Sequence, residues 1–282
     1  MKAASATKTT VLLLHGLCST PDELLPVHAA LRREGCDVRA LNVPGYSFDA
    51  AATRQRARPA ATWVAAVCAA IDAVPEERAL VVVGLSAGAV LALAVAMQRP
   101  ARIAGLVLMS TPLRLDGWAV PRHHFLLPLA LYSPLGRLWK YRERPPYGVK
   151  NERVRGWIEH ELAARRVSRA GAATLGVPHL RELDRLRRHV RNHLGSFVCP
   201  PVLVLHAEDD EVASPANVRL LEHGLRTPSF RKLMLTDSYH MITIDNDRPR
   251  VVRAVVEFAH RMGGQFDLAA AAAGVYREHE HL

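Results

Sequence analysis

The chain has little cysteine: four residues in 282 (Cys18, Cys36, Cys68 and Cys199), none of them in a C-x-x-C pair. That excludes a disulfide scaffold, and the Cys and His residues lack zinc-ligand spacing, so reduced thiols and no metal are expected. No apolar run approaches the roughly 18 residues a membrane-spanning helix needs. The opening stretch MKAASATKTT has no apolar secretion segment. The expectation is a soluble, cytoplasmic protein without stable membrane insertion. Internal repeats are absent, and lysine is scarce, five against 32 arginines. The net charge of +10 invites a nucleic-acid reading, but its placement narrows that view. Between Arg114 and Arg191 there are 17 basic and 7 acidic residues, while the rest of the chain holds 20 of each sign. All the excess sits in one internal segment, and no nucleic-acid partner is expected.

What is present is an alternation of strand and helix patterns. Strands are expected at Thr10–Leu14, Asp37–Asn42, Leu80–Val83, Ile103–Met109, Val202–His206 and Arg231–Leu235. Helices are expected at Asp22–Glu34, Thr62–Val74, Ala87–Gln98, Pro215–Leu225 and Arg248–Met262, the last with Asp247 as N-cap. The runs VVV and LVLM are apolar at every position, as strands buried on both faces are. This rhythm implies a mostly parallel sheet with helices on both sides. Residues 113–197 break the rhythm. They are Arg-rich, with helical spacing only at Glu152–Arg166 and Pro178–Leu194, and read as a helical cap inserted into a core of residues 1–112 and 198–264. Residues 265–282 read as a frayed tail.

In a parallel sheet the chemistry gathers beyond the carboxyl ends of the strands. The third strand runs into Gly84-Leu85-Ser86-Ala87-Gly88, a G-x-S-x-G. A serine on so sharp a strand-to-helix turn exposes its hydroxyl at a helix N-terminus, and its neighbours must be small to avoid the adjoining backbone. The motif alone is weak; preceded by VVV and followed by an apolar helix it marks Ser86 as a nucleophile. The base should follow the last strand, where Ser238-Tyr239-His240 offers His240. The acid should follow the preceding strand, in Ala207-Glu208-Asp209-Asp210-Glu211, where Asp209 and Asp210 compete. The backbone N–H groups of Leu17 (after His15-Gly16) and Ala87 are the candidate oxyanion donors. His15 and His206 read as structural, and Cys18 as a small buried side chain.

LLLHGLCSTPDEL, VVVGLSAGAVLALAVA, PVLVLHAEDDEV and SYHMITIDNDRPRVV together resemble the α/β-hydrolase superfamily, most closely its small bacterial carboxylesterases and monoacylglycerol-lipase-type esterases. The resemblance covers about Thr10–Pro112 and Pro201–Arg261. It implies an α/β-hydrolase fold trimmed to about six strands and a Ser86, Asp210, His240 triad, since the family's acid lies three residues beyond the position of Ala207. It places the oxyanion donors on Leu17 and Ala87 and makes Asp245 a loop anchor. It implies hydrolysis of carboxylic esters by way of an acyl-enzyme, with no cofactor and a small-molecule ester as substrate. A thioesterase or acyltransferase on the same triad and a non-catalytic binding protein are the alternatives. The resemblance leaves the cap open. There the apolar stretch His124–Tyr132 is expected to be cap core or the wall of an acyl tunnel, and the arginines raise an acyl group with an anionic head as a substrate.

Overall fold

The computed structural model describes residues 9–49, 56–134, 136, 140–164, 167–168 and 171–279, with backbone only for Arg122 and 270–279. Six strands form one sheet: β1 (Thr9–Leu14), β2 (Asp37–Ala40), β3 (Ala79–Leu85), β4 (Gly105–Met109), β9 (Val202–Ala207) and β10 (Phe230–Leu235). Their order is β10-β9-β4-β3-β1-β2, and every pair is parallel. The chain steps outward from β1 to β2, returns to β3 on the other side of β1, and then proceeds the opposite way. The β1/β3 boundary is therefore the topological switch point, where parallel sheets of this kind hold their ligands.

The period-2 alternation of β1 and β3 explains the continuous apolar runs. Leu12, Leu14, Leu80 and Val82 face one layer, which contains Trp63 and Val67 of α2 (Ala60–Asp72) and Leu91 and Val95 of α3 (Ala87–Gln98). Val11, Leu13, Val81 and Val83 face the other, which contains Val27 and Leu31 of α1 (Leu25–Arg33) and Val255 and Phe258 of α8 (Arg248–His279). Helix α3 is buried on all sides, so its sequence carries no amphipathic stripe.

The helix expected from Asp22 begins instead as a 3-10 turn, Pro21–Leu24, and becomes α-helical only at Leu25. Helix α8 continues past Gly263 and Gly264 to His279 rather than ending at Met262. The Asp247 carboxylate does not cap it: Oδ2 accepts Asp237 N–H and the Ser238 hydroxyl, while its carbonyl starts the helix.

The inserted stretch contains α4 (Leu127–Tyr132), α5 (Glu152–Ala164) and α6 (Val177–Asn192). It also holds two small antiparallel ladders that the sequence pattern did not signal: β5 (Lys140–Arg142) with β8 (Thr174–Gly176), and β6 (Val167–Ser168) with β7 (Gly171–Ala172). Leu186 and Val190 of α6 join the core layer of α2 and α3. The apolar stretch around α4 is cap core only in part: Leu131 is buried, but Phe125, Leu126 and Leu129 are exposed.

Candidate active site

Ser86 is the hinge between β3 and α3, and its backbone is left-handed, with φ of 55°. Two glycines make that turn feasible. A Cβ on Gly84 would lie 2.3 Å from the Gly88 carbonyl oxygen, and one on Gly88 would lie 2.1 Å from the Leu14 carbonyl oxygen. The elbow is thus wedged against the end of β1, and Ser86 N–H bonds Met109 O at 2.9 Å across β4.

The structure brings Ser86, His240 and Asp210 together from three strand ends. The Ser86 hydroxyl is 2.8 Å from His240 Nε2, and His240 Nδ1 is 2.8 Å from Asp210 Oδ2 and 3.0 Å from Oδ1. Asp210 Oδ1 also accepts the N–H groups of Val212 and Ala213, each at 2.8 Å. Asp209 faces away: its side chain is 58% exposed and pairs with Lys150 Nζ at 3.1 Å. Of the two competing acids, Asp210 is the one that meets the imidazole.

Burial alone would depress His240, but the Asp210 carboxylate, helped by Glu211 and Glu143, raises it above the ordinary histidine range. For Asp210, burial opposes ionisation, yet the neighbouring imidazole and its hydrogen bonds hold it below the usual carboxylate range. His206 lies 3.7 Å from Asp210, but burial lowers its pKa, and its Nε2–H is spent on Ala213 O at 2.7 Å. It is a neutral neighbour rather than a second base.

The candidate oxyanion loop is pinned from several sides. Tyr46 OH donates to His15 O at 2.5 Å, Cys18 N–H to Tyr46 O at 2.8 Å, and Gly16 N–H to Glu23 Oε2 at 2.6 Å. Among the described residues no acceptor takes the Leu17 N–H. Ala87 heads α3, where the first N–H groups have no intrahelical acceptor. Buried His15 bridges Gly16 O and Ser47 Oγ, and burial pushes its pKa down to about 4. Burial pushes the Cys18 thiol up to about 12, so it is no nucleophile.

Several supporting groups carried no clear sequence signal. Glu211 Oε2 accepts His240 N–H at 3.0 Å, and Ser110, itself left-handed at φ of 47°, donates its hydroxyl to His240 O at 2.7 Å. Glu211 was legible only as one more acid in a loop. Asp245 anchors the loop as expected, accepting the N–H groups of Tyr239, Lys150 and Asn151 at 2.7–2.9 Å and so joining the His240 loop to the cap. Glu23 and Glu143 complete an acidic surround. Burial, the largest cause for each, pushes both carboxyls up to about 7. Glu211 is pushed up for the same reason. Among the described residues, no group of His, Cys, Asp and Glu could hold a metal ion, and no helix is long and apolar enough to cross a membrane.

Comparison with known proteins bears on the family and the fold. A thermostable monoacylglycerol lipase from Bacillus sp. (strain H-257) is 26% identical over 258 residues, covering 90% of this chain and 91% of the relative. The monoacylglycerol lipase of Paleococcus ferrophilus superposes with a TM-score of 0.73 at 18% identity, covering 92% and 96% of the two chains. A thioesterase domain from the curacin biosynthetic pathway superposes with a TM-score of 0.58 at 19% identity, covering 92% and 93%. At such identities the two structures speak to the α/β-hydrolase fold. The sequence pattern of Hydrolase_4, described as serine aminopeptidase S33, matches residues 5–247. The chain is a hydrolase enzyme and belongs to that family.

Proposed function

We propose that this enzyme cleaves uncharged carboxylic esters of the monoacylglycerol type through a Ser86-His240-Asp210 triad. The observation that carries the reading is the continuous hydrogen-bonded chain from the Ser86 hydroxyl through both ring nitrogens of His240 to buried Asp210, at 2.8 Å for each link. His240 Nε2 takes the Ser86 proton as the oxygen attacks the ester carbonyl carbon. The N–H groups of Leu17 and Ala87 stabilise the oxyanion. The ester C–O bond then breaks, and the alcohol leaves with the proton from His240. Water repeats the sequence on the acyl-enzyme, releasing the acid and restoring Ser86.

The surroundings of His240 favour a neutral substrate. Asp210 is ionised, and above about pH 7 Glu143 and Glu23 join it, giving a field that repels an anionic head group. The relatives' names point the same way, as lipases of monoacylglycerols. A thioesterase reading draws on the likeness to the curacin thioesterase domain and differs only in the leaving group.

The test is hydrolysis of p-nitrophenyl esters from acetyl to palmitoyl, with monoacylglycerols and matched acyl thioesters alongside. Wild type is compared with Ser86→Ala at equal folding. Turnover by wild type alone supports the triad, and the ester-to-thioester ratio assigns the leaving group. A folded wild type inert on all three, or a Ser86→Ala variant that keeps its rate, refutes the reading.

A further inference from the structure

We infer that Glu23 is the positioning residue of the oxyanion loop: its carboxylate holds Gly16 N–H so that the next amide, Leu17 N–H, is left facing the reacting carbonyl. This inference rests on the serine-esterase reading above.

Gly16 N–H and Glu23 Oε2 are 2.6 Å apart, and Glu23 is only 2% exposed. The two residues are fitted to one another. A Cβ at Gly16 would sit 3.1 Å from Glu23 Oε2, tighter than ordinary contact, so the glycine makes room for the carboxylate beneath the loop. The amides around Leu17 are all spent: Gly16 on Glu23, Cys18 on Tyr46 O, and Ser19 on Gly16 O. Gly16 is the member of that set whose N–H goes to a side chain, because the sheet ladder has ended and no carbonyl lies in line. A buried amide in that position needs such an acceptor. Removing it frees the peptide that precedes Leu17 to rotate.

Glu23 is tied in at one further point and lies beside the cap. Its carbonyl accepts the Thr243 hydroxyl at 2.8 Å, three residues beyond His240. A Cβ at Gly171 in the small cap ladder would lie 3.5 Å from Glu23 Oε1, so the carboxyl stands next to that ladder. One residue therefore spans the oxyanion loop, the histidine loop and the cap. Glu23 sits, buried, in the 3-10 turn Pro21–Leu24.

The experiment compares Glu23→Gln, Glu23→Asp and Glu23→Ala with wild type on the best p-nitrophenyl ester. It reads kcat and KM from pH 5.5 to 9, the rate of Ser86 phosphonylation by a fluorophosphonate, and folding by circular dichroism. Loss of one oxyanion donor typically lowers kcat about 10²–10³-fold, and a loss of that order is expected for Glu23→Ala, with KM changed less than about threefold. Phosphonylation should slow in parallel. Glu23→Gln should restore kcat to within about fivefold of wild type, because its amide oxygen can accept the same N–H. Glu23→Asp, one methylene short, should not. A folded Glu23→Ala with kcat within threefold of wild type overturns the assignment. So does a Glu23→Gln as impaired as Glu23→Asp, a comparison that decides the matter even if Glu23→Ala does not fold. Ser86→Ala is run in parallel. If it stays active, or wild type neither turns over ester nor labels, the esterase reading falls and this assignment with it. If Ser86→Ala is dead and Glu23→Ala is fast, only this inference falls.

Discussion

Adding one methyl group at Gly88 tests the elbow more sharply than removing the nucleophile. Its Cβ would stand 2.1 Å from Leu14 O and 2.5 Å from His15 O, both backbone atoms at the end of strand β1. Ordinary contact needs more than 3 Å, so the elbow and the oxyanion loop must separate by about 1 Å. Overpacking of this kind costs about 1–3 kcal/mol of stability, and a displacement of about 1 Å in a reacting geometry costs on the order of 10²-fold in rate. The matched control is Gly156→Ala. Gly156 is exposed within α5, and its Cβ would meet nothing within 4 Å. There the same methyl group should stabilise by up to about 1 kcal/mol through helix propensity and leave kcat unchanged. The assay is steady-state ester hydrolysis and a thermal melt on both variants. A folded Gly88→Ala with wild-type kcat would refute the argument that the glycine is required by the approach of β1.

The other predictions follow from the charges. Asp210→Asn should lower kcat by about 10³–10⁴-fold through loss of the correct imidazole tautomer, whereas Asp209→Asn, which loses only the exposed pair to Lys150, should stay within about twofold; equal effects would refute the assignment of the acid. Only neutral His240 can accept the Ser86 proton, so its raised pKa means that activity is lost as pH falls through a limb lying above 6.5. Asp210, Glu211 and Glu143 sustain that shift, with His206 neutral beside them. Glu211→Gln should move the limb to lower pH, and a kcat/KM profile showing no movement would contradict this. For stability, folded Glu23 holds its proton up to about pH 7 whereas the unfolded chain releases it near 4.5, so wild type loses stability as pH rises from about 4.5 to 7. At pH 8 that loss is about 3 kcal/mol, and Glu23→Gln should melt several degrees above wild type at pH 8 but not at pH 4.5; equal melting points at both would refute it. Hydrolysis of neutral esters should be insensitive to salt between about 0.05 and 0.5 M, since no long-range attraction steers an uncharged substrate.

The core of the fold was legible because its signals are local. A strand buried on both faces must be apolar throughout, and β3 and β4 are; a nucleophile elbow must be flanked by small residues, and Gly84 and Gly88 flank Ser86. The order of the proposed triad could be read along the chain because each member follows its own strand. The choice between Asp209 and Asp210 could not be made from the residues alone, since both are acids one step apart. Direction decides it: Asp210 turns inward to His240 and two backbone amides, Asp209 outward to Lys150. Glu23 was illegible for a different reason. An acid in T-P-D-E-L reads as a solvated first-turn residue favoured by the helix dipole, whereas in the fold Glu23 is buried beneath the loop. The cap ladders were missed because strands of two and three residues are too short to show a period.

The basic segment shows why net charge and site charge are different quantities. Five of its arginines hold the cap together. Arg187 and Arg188 clamp Asp184, Arg185 pairs with Glu182, Arg181 bonds Leu131 O, and Arg155 bonds the carbonyls of Val149 and Lys150. Tyr132 donates to Asp184 at 2.8 Å, and the guanidiniums of Arg181, Arg185 and Arg188 stand 5.1–5.9 Å from its ring centre. Guanidinium is suited to such multidentate, stacked scaffolding because its five donors lie in a rigid plane. Four of the chain's 27 acids, Asp210, Glu211, Glu143 and Glu23, act electrostatically on one imidazole. Bulk charge of one sign thus coexists with a site of the other. For the proposed ester hydrolysis, the charge that matters is that of the side chains around His240 rather than the +10 of the whole chain.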